Sequence, residues 1–67
     1  MVKYEITLNE CDRDSAEEWT ETYDTLEQAL ARVENAKKKN DTRSMADRSY
    51  SLEVVGGIRK VPINIYF

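Results

Sequence analysis

Residues 23–39, Tyr23-Asp-Thr-Leu-Glu-Gln-Ala-Leu-Ala-Arg-Val-Glu-Asn-Ala-Lys-Lys-Lys39, decide the reading of this fold. Leu26, Ala29, Leu30, Val33 and Ala36 fall at i, i+3, i+4, i+7 and i+10, one apolar stripe on an amphipathic helix. Asp24 with Glu27 forms a capping pair, and Thr25 with Gln28 is the same motif one residue later. Lys37, Lys38 and Lys39 then stand in the last turn, where cations complement the helix dipole, and Asn40 is the C-cap. The stripe is narrow and built from small residues, so the helix can lie close to a sheet. About 15 residues make a rod of ~22 Å, long enough to cross four strands.

Before the helix, Val2, Tyr4, Ile6 and Leu8 alternate with Lys3, Glu5 and Thr7, a half-buried strand of period two. Residues 9–17 are polar and acidic and read as a loop longer than a usual hairpin connection. A second strand covers residues 18–23, with Trp19, Glu21 and Tyr23 on the helix side. After the helix, residues 40–47 read as a polar loop. Tyr50, Leu52 and Val54 mark a third strand. Gly56-Gly57 is a hairpin turn signal, and Ile58 to Phe67 a fourth strand with Val61, Ile63, Ile65 and Phe67 on one face.

That hairpin pairs Leu52 with Val61, Tyr50 with Ile63 and Glu53 with Lys60. Pro62, which has no N–H to give, makes the fourth strand an edge. The expected architecture is α+β: β-β-α-β-β, a four-stranded, mainly antiparallel sheet in the spatial order 2-1-3-4, with one helix on one face. Residues 1–67 form a single domain.

The composition limits the chemistry. Sixty-seven residues support a thin core and leave little room for a deep pocket. No apolar run is long enough to span a bilayer as a helix, and the first residues have no signal-peptide core, so a complete cytoplasmic product is expected. The chain has no histidine, which removes the commonest general base and metal ligand. Cys11 stands alone, so no internal disulfide forms, and it reads as a spare thiol. No phosphate-binding glycine loop precedes the helix. Asp12, Asp14, Glu17 and Glu18 are the nearest approach to a cation loop, but the glycine and terminal glutamate that such loops use are missing. Neither catalysis, nor a metal, nor a cofactor is expected.

Charge is the unusual feature. Residues 1–27 carry nine acids against two bases, a net of −7, while residues 28–67 carry eight bases against four acids, a net of +4. The acidic segment Glu10, Asp12, Asp14, Glu17, Glu18 and Glu21 is the candidate partner-binding surface, suited to a basic groove such as that of a nucleic-acid-binding protein. The alternative is nucleic-acid binding through Lys37, Lys38, Lys39, Arg43 and Arg48. Ile63, Ile65 and Phe67 are a candidate dimer edge.

The stretch Tyr-Asp-Thr-Leu-Glu-Gln-Ala-Leu at residues 23–30 resembles helix starts in small bacterial and phage α+β proteins, HicB-type antitoxins among them. It covers eight residues, is largely capping chemistry, and implies no function. In size, acidity and lack of histidine the chain also resembles phage or mobile-element inhibitors of host machinery, such as anti-CRISPR proteins. The resulting expectation is a non-catalytic inhibitor or regulator that blocks a larger partner.

Overall fold

The computed structural model describes residues 2–62. Their order is β1 (Val2–Cys11), β2 (Ala16–Tyr23), α1 (Leu26–Ala46) and β3 (Ser51–Pro62). The fold is α+β, a three-stranded antiparallel sheet in the order β2-β1-β3 with α1 on one face. Placing the alternating strand in the middle explains the core. Ile6 and Leu8 of β1 are 0% exposed, beneath Ala29 and Ala36 of α1 and beside Tyr50 and Leu52. Trp19 and Tyr23 pack against this core from β2, as the alternation requires.

The expected nine-residue loop after β1 is instead a tight turn at residues 12–15. Asp12 Oδ1 accepts the N–H groups of Asp14 and Ser15 at 2.9 and 2.8 Å and the Ser15 hydroxyl at 3.1 Å. Aspartate closes turns in this way without a left-handed residue. Both strands therefore run longer than their apolar residues suggest.

The second of the two capping motifs is the one used. Gln28 N–H donates to Thr25 Oγ1 at 3.2 Å, and Gln28 Oε1 receives the backbone N–H of Thr25 at 3.3 Å. The helix does not stop at Asn40. It continues to Ala46 with Asp47 as C-cap, because residues 40–46 contain neither glycine nor proline to break it. The three lysines consequently sit in mid-helix, and Arg43 is the base in the last turn.

Asn40 has a different task from the expected C-cap: its Oδ1 accepts the N–H of Leu52 at 2.9 Å, tying α1 to β3. Asn40→Ala should lose about 1–2 kcal/mol of stability, since a half-buried N–H is left without its acceptor. A urea midpoint equal to that of the parent would contradict this role.

The Gly56-Gly57 hairpin does not form, and no fourth strand occurs among the described residues. Residues 51–62 are one strand, paired with β1 along its length. Leu52 opposes Glu10, Glu53 opposes Asn9, and Lys60 and Val61 oppose Tyr4 and Lys3. The pairing slips between Glu5 and Thr7, whose partners are Arg59 and Val55. Gly56 and Gly57, at φ 76° and 71°, absorb two extra residues on β3. An excess of two keeps even-numbered residues on the helix face on both sides of the slip, so the alternation in the sequence survives it. Val61 therefore lies on the face away from α1, opposite Lys3.

Pro62 fits this ladder. The N–H of Leu52 points to Asn40 and away from β1, so Leu52 and Glu10 face each other without exchanging ladder bonds. Alternation along β1 puts Val2 and Pro62 in the same kind of pair, and the missing proline N–H faces outward at an edge. Ile63, Ile65 and Phe67, the expected dimer edge, lie outside the described residues.

Candidate interaction surface

Folding consumes much of the charge asymmetry. Acids of the first half meet bases of the second: Glu21 meets Arg32, Glu10 meets Lys39, and Glu5 meets Arg59, at 2.9, 3.4 and 3.6 Å. Lys3 and Asp24 form a further pair between β1 and the start of α1. Three of the nine acids in residues 1–27 are thus matched by bases of residues 28–67 among the described residues.

Glu21 is the most heavily engaged carboxylate. Its Oε1 accepts Arg32 Nε and its Oε2 accepts Arg32 Nη2, at 2.9 and 3.4 Å. Trp19 Nε1 donates to Oε2 at 2.7 Å, and the Tyr23 hydroxyl donates to Oε1. The Arg32 guanidinium, more than the two aromatic donors, holds this carboxyl at a pKa of about 2. Burial and the Glu21 charge push the Tyr23 phenol up. Glu21 shares a face with Trp19 and Tyr23 because β2 alternates, and α1 brings Arg32 over that face.

Glu10 is second. Its Oε2 accepts the Tyr50 hydroxyl at 2.7 Å, and that hydrogen bond, ahead of Lys39, holds its pKa below the usual range. The Arg43 guanidinium lies 4.1 Å from the centre of the Tyr50 ring, a cation–π contact. Glu10 and Glu17 stand directly opposite each other on the helix side, a like-charge pair that Lys39 relieves.

Two of the six expected partner-binding residues, Glu10 and Glu21, are therefore half-buried and committed to the fold. Asp12 holds the turn, and its backbone donors, Asp14 N–H first, lower its pKa. Asp14, Glu17 and Glu18 are exposed, with no ion pair among the described residues. The register adds Glu53, which no local signal in the sequence joins to this group. Glu18 and Glu53 both oppose Asn9, so they flank it on the uncovered face of the sheet. Only the pairing of β3 with β1 brings the two together.

The acidic end is not uniform. A shallow recess of about 400 Å³ between the turn and the end of α1 is lined by Asp12, Arg13, Asp14, Ser15, Arg43 and Asp47. Asp47, whose pKa is lowered chiefly by the Ser49 hydroxyl, belongs to the fold as C-cap and turn residue.

The basic alternative is divided as well. Lys39 and Arg43 are engaged with Glu10 and Tyr50, while Lys37, Lys38 and Arg48 are exposed. No group of three or more acidic or cysteine side chains among the described residues is placed to hold a metal ion. No described helix is long and apolar enough to cross a membrane. Comparison with family models, curated proteins and solved structures yields no match to this chain.

Proposed function

We propose that this chain is a non-catalytic protein-binding module that blocks a larger partner, with Asp14, Glu17, Glu18 and Glu53 as its contact set. The observation that carries the reading is the division of the acids. Glu5, Glu10, Glu21 and Asp24 have cationic partners within the described residues, whereas these four carboxylates have none there and surround the β1–β2 end, Glu17 on the helix side and Glu18 and Glu53 on the uncovered face. Unpaired like charges at one end of a sheet favour a basic surface and speed its encounter. A nucleic-acid-binding protein is the kind of partner that presents one, and inhibition of a host nuclease by a mobile-element product is the narrower form of this reading.

Catalysis draws no support from the strongest pKa shift. Glu21 is held ionised, the reverse of what a general acid needs at neutral pH. Nucleic-acid binding would rest on Lys37, Lys38 and Arg48, which no single strand or turn gathers. Self-association through Ile63, Ile65 and Phe67 is not needed by the proposal.

The test is capture from a native-host extract with the parent and with the D14K/E17K/E18K variant. All three side chains are exposed, so circular dichroism should stay unchanged. Loss of the captured protein in the variant is the expected result. Equal capture by both would sink the acidic-surface reading.

A further inference from the structure

Three observations meet along the outer edge of β3. The first concerns the backbone. In an antiparallel strand the N–H and C=O of one residue point the same way and alternate along the chain. Leu52 directs its N–H to Asn40 and away from β1, so Val54 presents both of its groups outward. β3 has β1 on one side and no strand beyond it among the described residues.

The second is apolar. A groove of about 330 Å³ runs between α1 and this edge, where Val33, Ala36, Leu52 and Val54 give it apolar walls and Lys37, Asn40 and Glu53 its polar rim. On the flank of α1, Leu26 and Leu30 remain 43% and 48% exposed although they belong to the apolar stripe. Val55, on the uncovered face of β3, is 47% exposed. The helix overhangs a place in the sheet that no described strand fills.

The third is charge. Residues 26, 30, 34 and 37 recur at spacings of three and four, so Leu26, Leu30, Glu34 and Lys37 share one flank of α1. Its charges are of both signs and lie one turn apart, which suits a copy of the same flank turned end for end.

We infer that a second copy of this chain docks here. The two β3 strands pair antiparallel about Val54, giving a continuous six-stranded sheet. The two helices lie side by side on one face with their Leu30 flanks in contact. Such an interface is isologous, the same patch serving both copies. The groove sets Val33 to Lys37 beside Leu52 to Val54, so the two-fold axis near Val54 carries each Lys37 towards Glu34 of the other copy. The edge is blunted on either side of this window. Asn40 already holds the Leu52 N–H, and the Gly56-Gly57 irregularity interrupts the strand beyond. The pairing is thereby confined to one register. Of the acidic contact set only Glu53, beside Val54, borders this interface; Asp14, Glu17 and Glu18 lie away from it, so capture with D14K/E17K/E18K and sedimentation of E34K and K37E fail independently of each other.

Sedimentation of the full chain from about 1 μM to about 1 mM tests it. A concentration-dependent dimer is expected. E34K and K37E should each weaken association roughly tenfold, and the double swap should restore it, because the reciprocal pair is rebuilt with its signs exchanged. V54P removes an N–H that no contact among the described residues uses, and should abolish the dimer. The charge variants lie on an exposed helix flank, so they decide the matter even if V54P fails to fold. A monomer over the whole range would overturn the inference. So would a dimer indifferent to E34K and K37E, or one lost on removing residues 63–67 while K37E has no effect.

Discussion

Glu21→Gln is expected to lower the melting temperature by roughly 10–20 °C at neutral pH, corresponding to about 2–3 kcal/mol in a domain of this size. The shape of the side chain is kept, but the charge opposite Arg32 is lost. Arg32 is half-buried, and one cation without its carboxylate is costlier there than in a solvated surface pair. Trp19 Nε1 and the Tyr23 hydroxyl bond to different carboxylate oxygens, so glutamine leaves one of them a neutral acceptor and sets an NH2 group, which cannot accept, before the other.

The same site sets an acid limit. Glu21 has a folded pKa of about 2 against an ordinary value of 4.5. A depressed carboxylate pKa stabilises the fold fully above the unfolded value, and that stability is lost as pH falls from about 4.5 towards 2. The gap between parent and E21Q should therefore narrow over that range. Thermal melts at pH 7 and pH 3 measure it, and a gap of constant width would show that the charge on Glu21 is not what Arg32 requires. R32Q should be destabilised similarly. E21Q/R32Q should lose less than the sum of the two single changes, since no unpaired charge remains.

The second large effect belongs to the two glycines of β3. G56A/G57A should cost about 2–3 kcal/mol, because both residues have positive φ and an L side chain is strained there. A Cβ at either position would meet nothing within 4 Å, so crowding makes no contribution and the cost is conformational. Deleting Gly56 and Gly57 together should be milder, within about 1 kcal/mol of the parent. The deletion joins Val55, opposite Thr7, to Ile58, which then falls opposite Ile6, while Arg59 keeps Glu5. Guanidinium unfolding of the three proteins compares them. A deletion variant less stable than G56A/G57A would mean that the slip has a structural use beyond accommodating two residues.

These two sites also show how far local signals reach. Glu21 is visible in the sequence as an acid on the Trp19–Tyr23 face, but nothing near it in the chain points to Arg32, eleven residues on. Gly56-Gly57 carries a strong hairpin signal, and the signal is sound chemistry for a tight turn. It is overridden because β1 is long enough to pair with both arms of β3, which makes β1 a central strand and leaves Ile6 and Leu8 fully covered. A folded-back hairpin would leave β1 with less of this cover. The end of α1 escapes local reading for a simpler reason. Residues 40–46 are polar and suggest a loop, yet a helix held at its flank by Asn40 and Arg43 needs no apolar stripe in its last turns.

What the sequence determined by itself was local. It specified the alternation of β1, the Thr25–Gln28 cap, the apolar stripe of α1, and an α+β domain without histidine. Each of these depends on residues within a few positions of one another. The tertiary structure alone decided which acids stay unpaired. Glu10 and Glu21 are drawn into the fold by bases of α1, while Glu53 is carried across the sheet to the side of Glu18. Sequence distance carries no record of such pairings, because a strand register and a helix laid across a sheet bring together charges that no local pattern connects.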